Sequence, residues 1–307
     1  MTANLKFLFL SLLAGGCLAF GVNGIYNLNA KNLTAQIEHN ESPLTAQSQE
    51  PAKPALDLQA ASVLLIKIDP TKQEQIIFAK SAEKKSPIAS ITKLMTAVVA
   101  AEFYQAKEKI TISQTAIRQL ENFGNLKPGE VLALPELLKI TLIESSNDAA
   151  FALTEPMGGP EPFTALMNLK ARDLKMDSSY FYSPNGLDPE DTGLAPYLIN
   201  YSTARDLAKL GKYILQNHPE IIEILGQKQT ALFSENGSLH HILDSTNELL
   251  GKIPNIIAGK TGATARAGGC LLLVLRGANE GDYYIAIILN SPDKFSEMEK
   301  LLNYYGI

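Results

Sequence analysis

The order of strand-like and helix-like segments is the feature of this 307-residue chain that most restricts its fold. Residues 62–69 and 75–80 are short apolar runs separated by a polar turn, which is typical of two β-strands. A second such pair, 268–276 and 282–290, lies near the other end, joined by the polar sequence GANEGD. We predict an α+β fold in which strands from both ends form one antiparallel sheet, flanked by helices and carrying an all-helical insert.

Apolar residues recur at helical spacing in six segments. The predicted helices are residues 86–103, 133–143, 147–157, 160–174, 202–216 and 294–305. In the first of them, Ser86 suits the N-cap and Pro87 the first helical position. Asn147 or Asp148 is placed to cap the third.

The first 57 residues differ in character from the rest of the chain. Lys6 precedes sixteen uncharged, mainly apolar residues, a length between that of a signal-peptide core and that of a membrane span. We predict that residues 1–30 are a signal peptide or an N-terminal membrane anchor, and we favour the anchor. The protein would then be exported to the outer face of the cytoplasmic membrane or the periplasm. Residues 31–57 predict a flexible linker, and residues 58–307 one folded domain.

Composition argues against several classes of function. The formal net charge is −5 and no long basic run occurs, so nucleic acid is not an expected partner. The four histidines form no HExxH pattern, which disfavours a zinc hydrolase. Cys17 lies in the N-terminal apolar run and Cys270 in a predicted strand, so no disulfide framework is expected.

Three short polar motifs interrupt the folded part. They are Ser-x-x-Lys at 90–93, Ser-x-Asn at 145–147 and Lys-Thr-Gly at 260–262, the last of them just before a predicted strand. Ser90 and Lys93 are three residues apart on a predicted helix, so the hydroxyl and the amine can meet. The first two patterns recur elsewhere in the chain, whereas Lys-Thr-Gly occurs once. The ordered set is known from penicillin-binding proteins and class A β-lactamases.

From about residue 61 to residue 307, the chain resembles the low-molecular-mass penicillin-binding proteins, the serine D-Ala-D-Ala carboxypeptidases. The segments that carry the likeness are PIASITKLMTA, LKPGE, LLKITLIESSNDAAFAL, NGLD, YSTARDLAKL, TNELL, KTGATARAGGC and EKLLNYYG. The resemblance implies a β-lactamase/transpeptidase-like fold and a penicillin-binding catalytic domain at 58–307. It implies removal of the terminal D-alanine from peptidoglycan stem peptides, with β-lactams as covalent inhibitors and no metal or cofactor.

By this resemblance, three residues carry the chemistry. Ser90 would be the acylating nucleophile, Lys93 its base and Ser145 the relay that passes the proton to the leaving D-alanine. A lysine accepts a proton only when neutral, and its ordinary pKa is about 10.4. Burial and repulsion from Lys260 are therefore expected to lower the pKa of Lys93.

The resemblance also implies a set of substrate-binding residues. Asn147 would hold the substrate amide, and Lys260 would support Ser145 electrostatically. Thr261 would bind the terminal carboxylate, and Gly262 would let the backbone approach closely. The N–H groups of Ser90 and Ala263 would form the oxyanion hole.

Two positions depart from the family pattern. Lys294 stands where the family often carries an arginine that helps to bind carboxylate. We therefore expect Lys294 to contribute to binding the terminal carboxylate of the substrate. Asn185 stands where the family often has histidine.

Three other functions are alternatives to carboxypeptidase activity. A class A-like β-lactamase is disfavoured because no Glu between residues 155 and 248 has Asn four positions later. An inactive peptidoglycan-binding protein is disfavoured by the intact Ser90, Lys93, Ser145 and Lys260. A D,D-endopeptidase acting on peptidoglycan cross-links has the same machinery and stays open.

Overall fold

The computed structural model describes residues 55–120, 123–192, 195–234 and 236–307. Within these ranges, five strands form one antiparallel sheet in the order β2-β1-β11-β10-β9. Its strands are β1 (Ser62–Ile68), β2 (Glu74–Lys80), β9 (Ile256–Thr264), β10 (Gly268–Arg276) and β11 (Tyr283–Ser291). The predicted sheet with strands from both ends is therefore confirmed.

The helices fill the middle of the chain and its end. They are α1 (Lys93–Phe103), α2 (Leu134–Ile143), α3 (Asn147–Ala152), α4 (Pro160–Asp173), α5 (Pro189–Thr192), α6 (Ala204–Asn217), α7 (Pro219–Leu225) and α8 (Lys294–Tyr305). Short 3-10 helices cover Ala89–Thr92, Ala116–Arg118 and Glu155–Met157.

The insert is not entirely helical, which corrects the prediction. Short strand pairs join β3 (Ser86–Pro87) to β6 (Tyr201–Ser202), β4 (Lys109–Thr111) to β5 (Val131–Ala133) and β7 (Gln229–Phe233) to β8 (Leu239–Asp244). Strands of two to six residues are too short for a clear period-two pattern, so the sequence did not reveal them.

Both faces of the main sheet are covered, which explains why its central strands are continuous apolar runs. Leu64 and Leu272 face one side and pack with α1, α2 and α6. Leu65 and Leu273 face the other side and pack with α8, including Leu301. Each fully buried leucine contributes roughly 1.5–3 kcal/mol to stability. The sheet is thereby a rigid support for the residues at its edge.

Three local predictions were wrong. Ser86 and Pro87 do not begin a helix; they pair with β6, and a 3-10 turn precedes α1. The cap of α3 is Ser146, whose hydroxyl accepts a hydrogen bond from the N–H of Ala149 at 3.1 Å. The Lys-Thr-Gly motif lies within β9 rather than before a strand.

The proposed export segment, 1–30, and nearly all of the linker, 31–57, lie outside the described residues. Across the part of the chain that the structure does describe, there is no helix with the length and apolar character needed to cross a membrane.

Candidate active site

Ser90 lies in the 3-10 turn Ala89–Thr92, directly before α1. The turn begins with Ala89 in a left-handed conformation (φ 46°). Ile88 and Ile91 are fully buried on either side and fix the turn in the core. Ser90 itself stays partly exposed. The packing therefore presents one hydroxyl to the surface from an otherwise buried segment.

Lys93 is fully buried beneath Ser90. Its Nζ lies 2.7 Å from Ser90 Oγ, 2.7 Å from Asn147 Oδ1 and 2.8 Å from the backbone oxygen of Asn185. Of these three oxygens, only the hydroxyl can donate a proton. A neutral amine has two N–H groups and one lone pair, so it can donate to both carbonyl oxygens and accept from Ser90. The geometry suits proton transfer from Ser90 to Lys93.

Ser145 lies at the junction between α2 and α3. It adopts a left-handed conformation (φ 65°), and the N–H of Ser146 reaches back to the oxygen of Ile140 at 3.3 Å. This bond closes the end of α2, while Ser146 caps α3. The two helix ends thus hold Ser145 at the corner between them.

Lys260 connects the second motif to the third. This side chain is fully buried in β9, and its Nζ lies 2.8 Å from Ser145 Oγ and 3.0 Å from the oxygen of Thr261. Burial lowers the pKa of Lys260 to about 7 because the charged ammonium loses its hydration. Its charge therefore changes within the physiological pH range.

Asn147 contacts the lysine of the first serine–lysine pair. Its Oδ1 accepts from Lys93, and its Nδ2 donates to the oxygen of Leu120 at 2.8 Å. The same side chain therefore holds Lys93 in place and ties α3 to the loop that contains Leu120.

The backbone of β9 approaches the Ser90 turn very closely at Gly262. A Cβ at this position would lie 3.0 Å from the N of Ser90 and 3.1 Å from the oxygen of Ile88. In the described part of the chain, β9 is one of the two edge strands of the sheet, and Ala263 is exposed. Thr261 is nearly buried, and its hydroxyl lies 2.6 Å from that of Thr246.

Two asparagines complete the wall of the site. Asn185 donates its amide to Gln119 Oε1 at 3.1 Å, while its backbone oxygen holds Lys93. Asn200, which sequence reasoning missed, donates to Thr92 Oγ1 at 3.0 Å and to the oxygen of Ser183 at 2.8 Å. Both contacts depend on segments far apart in the chain, so no local pattern marks Asn200.

Lys294 begins α8, which packs on the face of the sheet opposite the Ser90 turn. Its side chain lies beside Gly269 of β10, the residue that pairs with Ala263 of β9. Its Nζ lies 4.7 Å from the centre of the Phe295 ring. The structure thus brings together Ser90, Lys93, Ser145, Asn147 and Lys260, whereas the role predicted for Lys294 stays a prediction.

A groove adjoins the site and shares a wall with it. It has a volume of about 630 Å³ and is lined in part by Arg118, Gln119, Tyr182 and Asn185. Among the described residues, no group of three or more His, Cys, Asp and Glu side chains is placed to hold a metal ion.

Comparison with known sequences gives a consistent family assignment. A family model described as D-alanyl-D-alanine carboxypeptidase matches residues 46–293. The D-alanyl-D-alanine carboxypeptidase DacC of Escherichia coli is 32% identical over 247 residues, which cover 75% of this chain and 58% of DacC. A D-alanyl-D-alanine endopeptidase of Pseudomonas aeruginosa is 32% identical over 206 residues, covering 65% of this chain and 62% of that protein.

The fold also has solved counterparts. A penicillin-binding protein of Listeria monocytogenes, solved in its ampicillin-bound form, is 28% identical with a TM-score of 0.66. The match covers 82% of this chain and 98% of that one. The curated relatives are longer: the chain spans 58% of DacC and 62% of the Bacillus subtilis carboxypeptidase DacF.

Proposed function

Because the chain belongs to the D-alanyl-D-alanine carboxypeptidase family, we propose that it is a serine D-Ala-D-Ala carboxypeptidase of peptidoglycan stem peptides. One observation carries this proposal. Two buried lysines each contact a partly exposed serine, Lys93 with Ser90 at 2.7 Å and Lys260 with Ser145 at 2.8 Å. Such pairs can activate a hydroxyl without a histidine or a metal.

The acylation step follows from the contacts of Ser90. Its Oγ attacks the carbonyl carbon between the two terminal D-alanines, and its proton passes to the neutral Lys93. The tetrahedral intermediate carries its negative charge on the former carbonyl oxygen. Ser145 donates a proton to the leaving nitrogen, the C–N bond breaks, and the free D-alanine departs. Lys260, whose Nζ lies 2.8 Å from Ser145 Oγ, would return a proton to Ser145.

Deacylation reuses the same groups. Water attacks the ester carbonyl of Ser90, which releases the shortened peptide and restores the Ser90 hydroxyl. The N–H groups of Ser90 and Ala263 would stabilise the oxyanion in both steps. Gly262 keeps β9 close to Ser90, as this oxyanion hole requires.

Substrate binding is proposed to use the edge of β9. An extended peptide can pair with an edge strand through main-chain hydrogen bonds. Thr261 would bind the terminal carboxylate, Lys260 would add positive charge, and Asn147 would hold the substrate amide. The adjoining groove of about 630 Å³ offers room for the part of the stem peptide that precedes the scissile bond.

β-Lactams are proposed to act as covalent inhibitors, since the strained lactam carbonyl would occupy the same position and acylate Ser90. The Listeria neighbour solved with ampicillin supports this proposal.

Residues 1–30 are proposed to export the protein and to anchor it in the cytoplasmic membrane, on the strength of the apolar run that follows Lys6.

The decisive experiment combines labelling with product analysis. The protein is incubated with fluorescent penicillin, and the attachment site is identified by peptide mapping. We expect a single adduct on Ser90 that is absent from Ser90→Ala. Ser291 provides the matched control, because it begins another Ser-x-x-Lys sequence, SPDK. Ser291→Ala should keep the adduct. Labelling that survives Ser90→Ala would overturn the assignment.

A second candidate is D,D-endopeptidase activity on cross-linked peptides. Its support is the likeness to endopeptidases of Escherichia coli and Pseudomonas aeruginosa, at 29% and 32% identity. The two candidates are separated by their products. A pentapeptide stem should yield free D-alanine if the enzyme is a carboxypeptidase, whereas a cross-linked dimer should yield two monomers if it is an endopeptidase.

A further inference from the structure

Two neighbouring histidines on β8 point to the same side of the strand. Adjacent residues of a regular strand point to opposite faces. In the β7–β8 pair, however, Leu232 lies opposite His241 and Phe233 opposite Leu239, so His240 is an extra, bulged residue. The bulge redirects its side chain, and the two rings lie 4.7 Å apart between centres.

Each histidine binds a carboxylate through its Nε2. His240 lies 2.8 Å from Glu130 Oε1, and His241 lies 3.1 Å from Glu144 Oε2. All four side chains are at least four-fifths buried. Glu130 directly precedes β5, and Glu144 directly follows α2. The two histidines therefore contact the residues that flank the β5–α2 segment on both sides.

This segment ends at the candidate active site. Ser145 follows Glu144 directly, and its left-handed conformation depends on how α2 ends. The β7–β8 hairpin also approaches the third motif. Thr246 lies two residues after β8, and its hydroxyl is 2.6 Å from that of Thr261. Movement of β8 would thus reach Ser145 through Glu144.

The two rings also contact each other. The Nδ1 atom of His240 lies within hydrogen-bonding distance of the Nδ1 atom of His241. A displacement of either ring is therefore passed on to the other.

We propose that His240 and His241 are positioning residues, which hold Ser145 through Glu144. The proposal rests on the proposed function in taking Ser145 as a working group of the active site. The charged groups that face the pair are Glu130 and Lys127, from the loop before β5, and Glu144, from the end of α2.

The test compares His241→Ala and His241→Gln with His218→Ala. Alanine removes the contact with Glu144, whereas glutamine can still donate a hydrogen bond to it. His218 is a matched control because it is also buried and contacts two carboxylates, Glu102 at 3.3 Å and Glu220 at 2.9 Å, at the junction of α6 and α7. The rate of penicillin acylation is measured for wild type and the three variants.

We expect His241→Ala to acylate about ten-fold more slowly than wild type, since small displacements of catalytic groups cost up to about 100-fold. His241→Gln should recover most of the rate, because it keeps the hydrogen bond to Glu144. A wild-type rate in His241→Ala, a loss that His241→Gln does not recover, or an equal loss in His218→Ala would overturn the proposal.

A second measurement does not depend on catalysis. Amide hydrogen exchange is followed in peptides that contain Ser146, whose N–H bonds to the oxygen of Ile140. His241→Ala should accelerate exchange there, whereas His218→Ala should not. Unchanged exchange would refute the positioning role, whatever the result of penicillin labelling. Failure of penicillin to label wild type would instead refute the proposed function.

Discussion

The buried carboxyl group of Asp148 should make the protein less stable as pH rises. Asp148 follows Asn147 in α3 and is fully buried. Neither carboxylate oxygen has a hydrogen-bond partner within bonding geometry in the described structure, although the nearby backbone N–H of Gln119 slightly favours the charged form. Burial raises the pKa of Asp148 from 3.8 to about 6. The charged form is therefore destabilised in the folded protein.

The size and sign of the effect follow from linkage. A rise of roughly 2 pKa units corresponds to about 3 kcal/mol. Because the folded state binds the proton more tightly than the unfolded state, the protonated carboxyl group adds to the free energy of unfolding. This contribution is fully present below the unfolded pKa of about 4. It is lost as pH rises through about 6, the folded value. At pH 7 and above, the ionised carboxylate costs about 3 kcal/mol.

Asp148→Asn removes the charge and keeps the shape. The amide has polar atoms of its own, whose burial costs about 1–3 kcal/mol at every pH. The pH dependence of the difference therefore isolates the charge. Urea unfolding of wild type and variant should show the variant gaining about 3 kcal/mol relative to wild type between about pH 4 and 7. Asp177→Asn, an exposed control, should show no such gain. A difference that stays constant with pH would refute the reasoning.

Four further predictions concern the active site. Lys93→Arg should abolish penicillin acylation because guanidinium stays protonated; acylation near the wild-type rate would make Lys93 a structural cation. Lys260→Arg should remove any inflection near pH 7 from the acylation profile, since the wild-type amine loses its charge as pH rises through its pKa of about 7; an inflection that persists in the variant would assign it to another group. Gly262→Ala should slow acylation at least ten-fold, because the new Cβ would meet the N of Ser90 at 3.0 Å and displace the nucleophile; a wild-type rate would show that β9 can shift freely. Lys294→Ala should cost about 1.5–3 kcal/mol in transition-state stabilisation on peptides ending in D-Ala-D-Ala, measured from kcat/KM, and much less when the C-terminus is amidated; equal losses on both substrates would exclude a carboxylate contact.

The sequence alone determined most of the elements and the residues of the three motifs. Apolar periodicity is a local property, so the strands β1, β2, β10 and β11 and most of the helices could be read directly. β9, which carries the third motif, was missed. The motifs identified Ser90, Lys93, Ser145 and Lys260, which the fold then brings together. These residues act through their chemical type, and a motif records type and order.

The tertiary structure decided how these residues meet. The bond from Lys93 to Asn147 spans 54 residues, and that from Lys260 to Ser145 spans 115. No local pattern can give such contacts. For the same reason the sequence misplaced the start of the Ser90 helix: Ser86 and Pro87 suit a helix start, but pairing with β6 takes them into a strand.

The support of the site was also hidden from the sequence. Asn200 braces the Ser90 turn through Thr92, 108 residues away, and His241 reaches Glu144 across 97 residues. Asparagine and histidine occur in many settings, so only the partners that folding supplies give them a role. Local chemistry therefore marked which side chains can react, whereas long-range packing set their distances, their burial and the lowered pKa of Lys260.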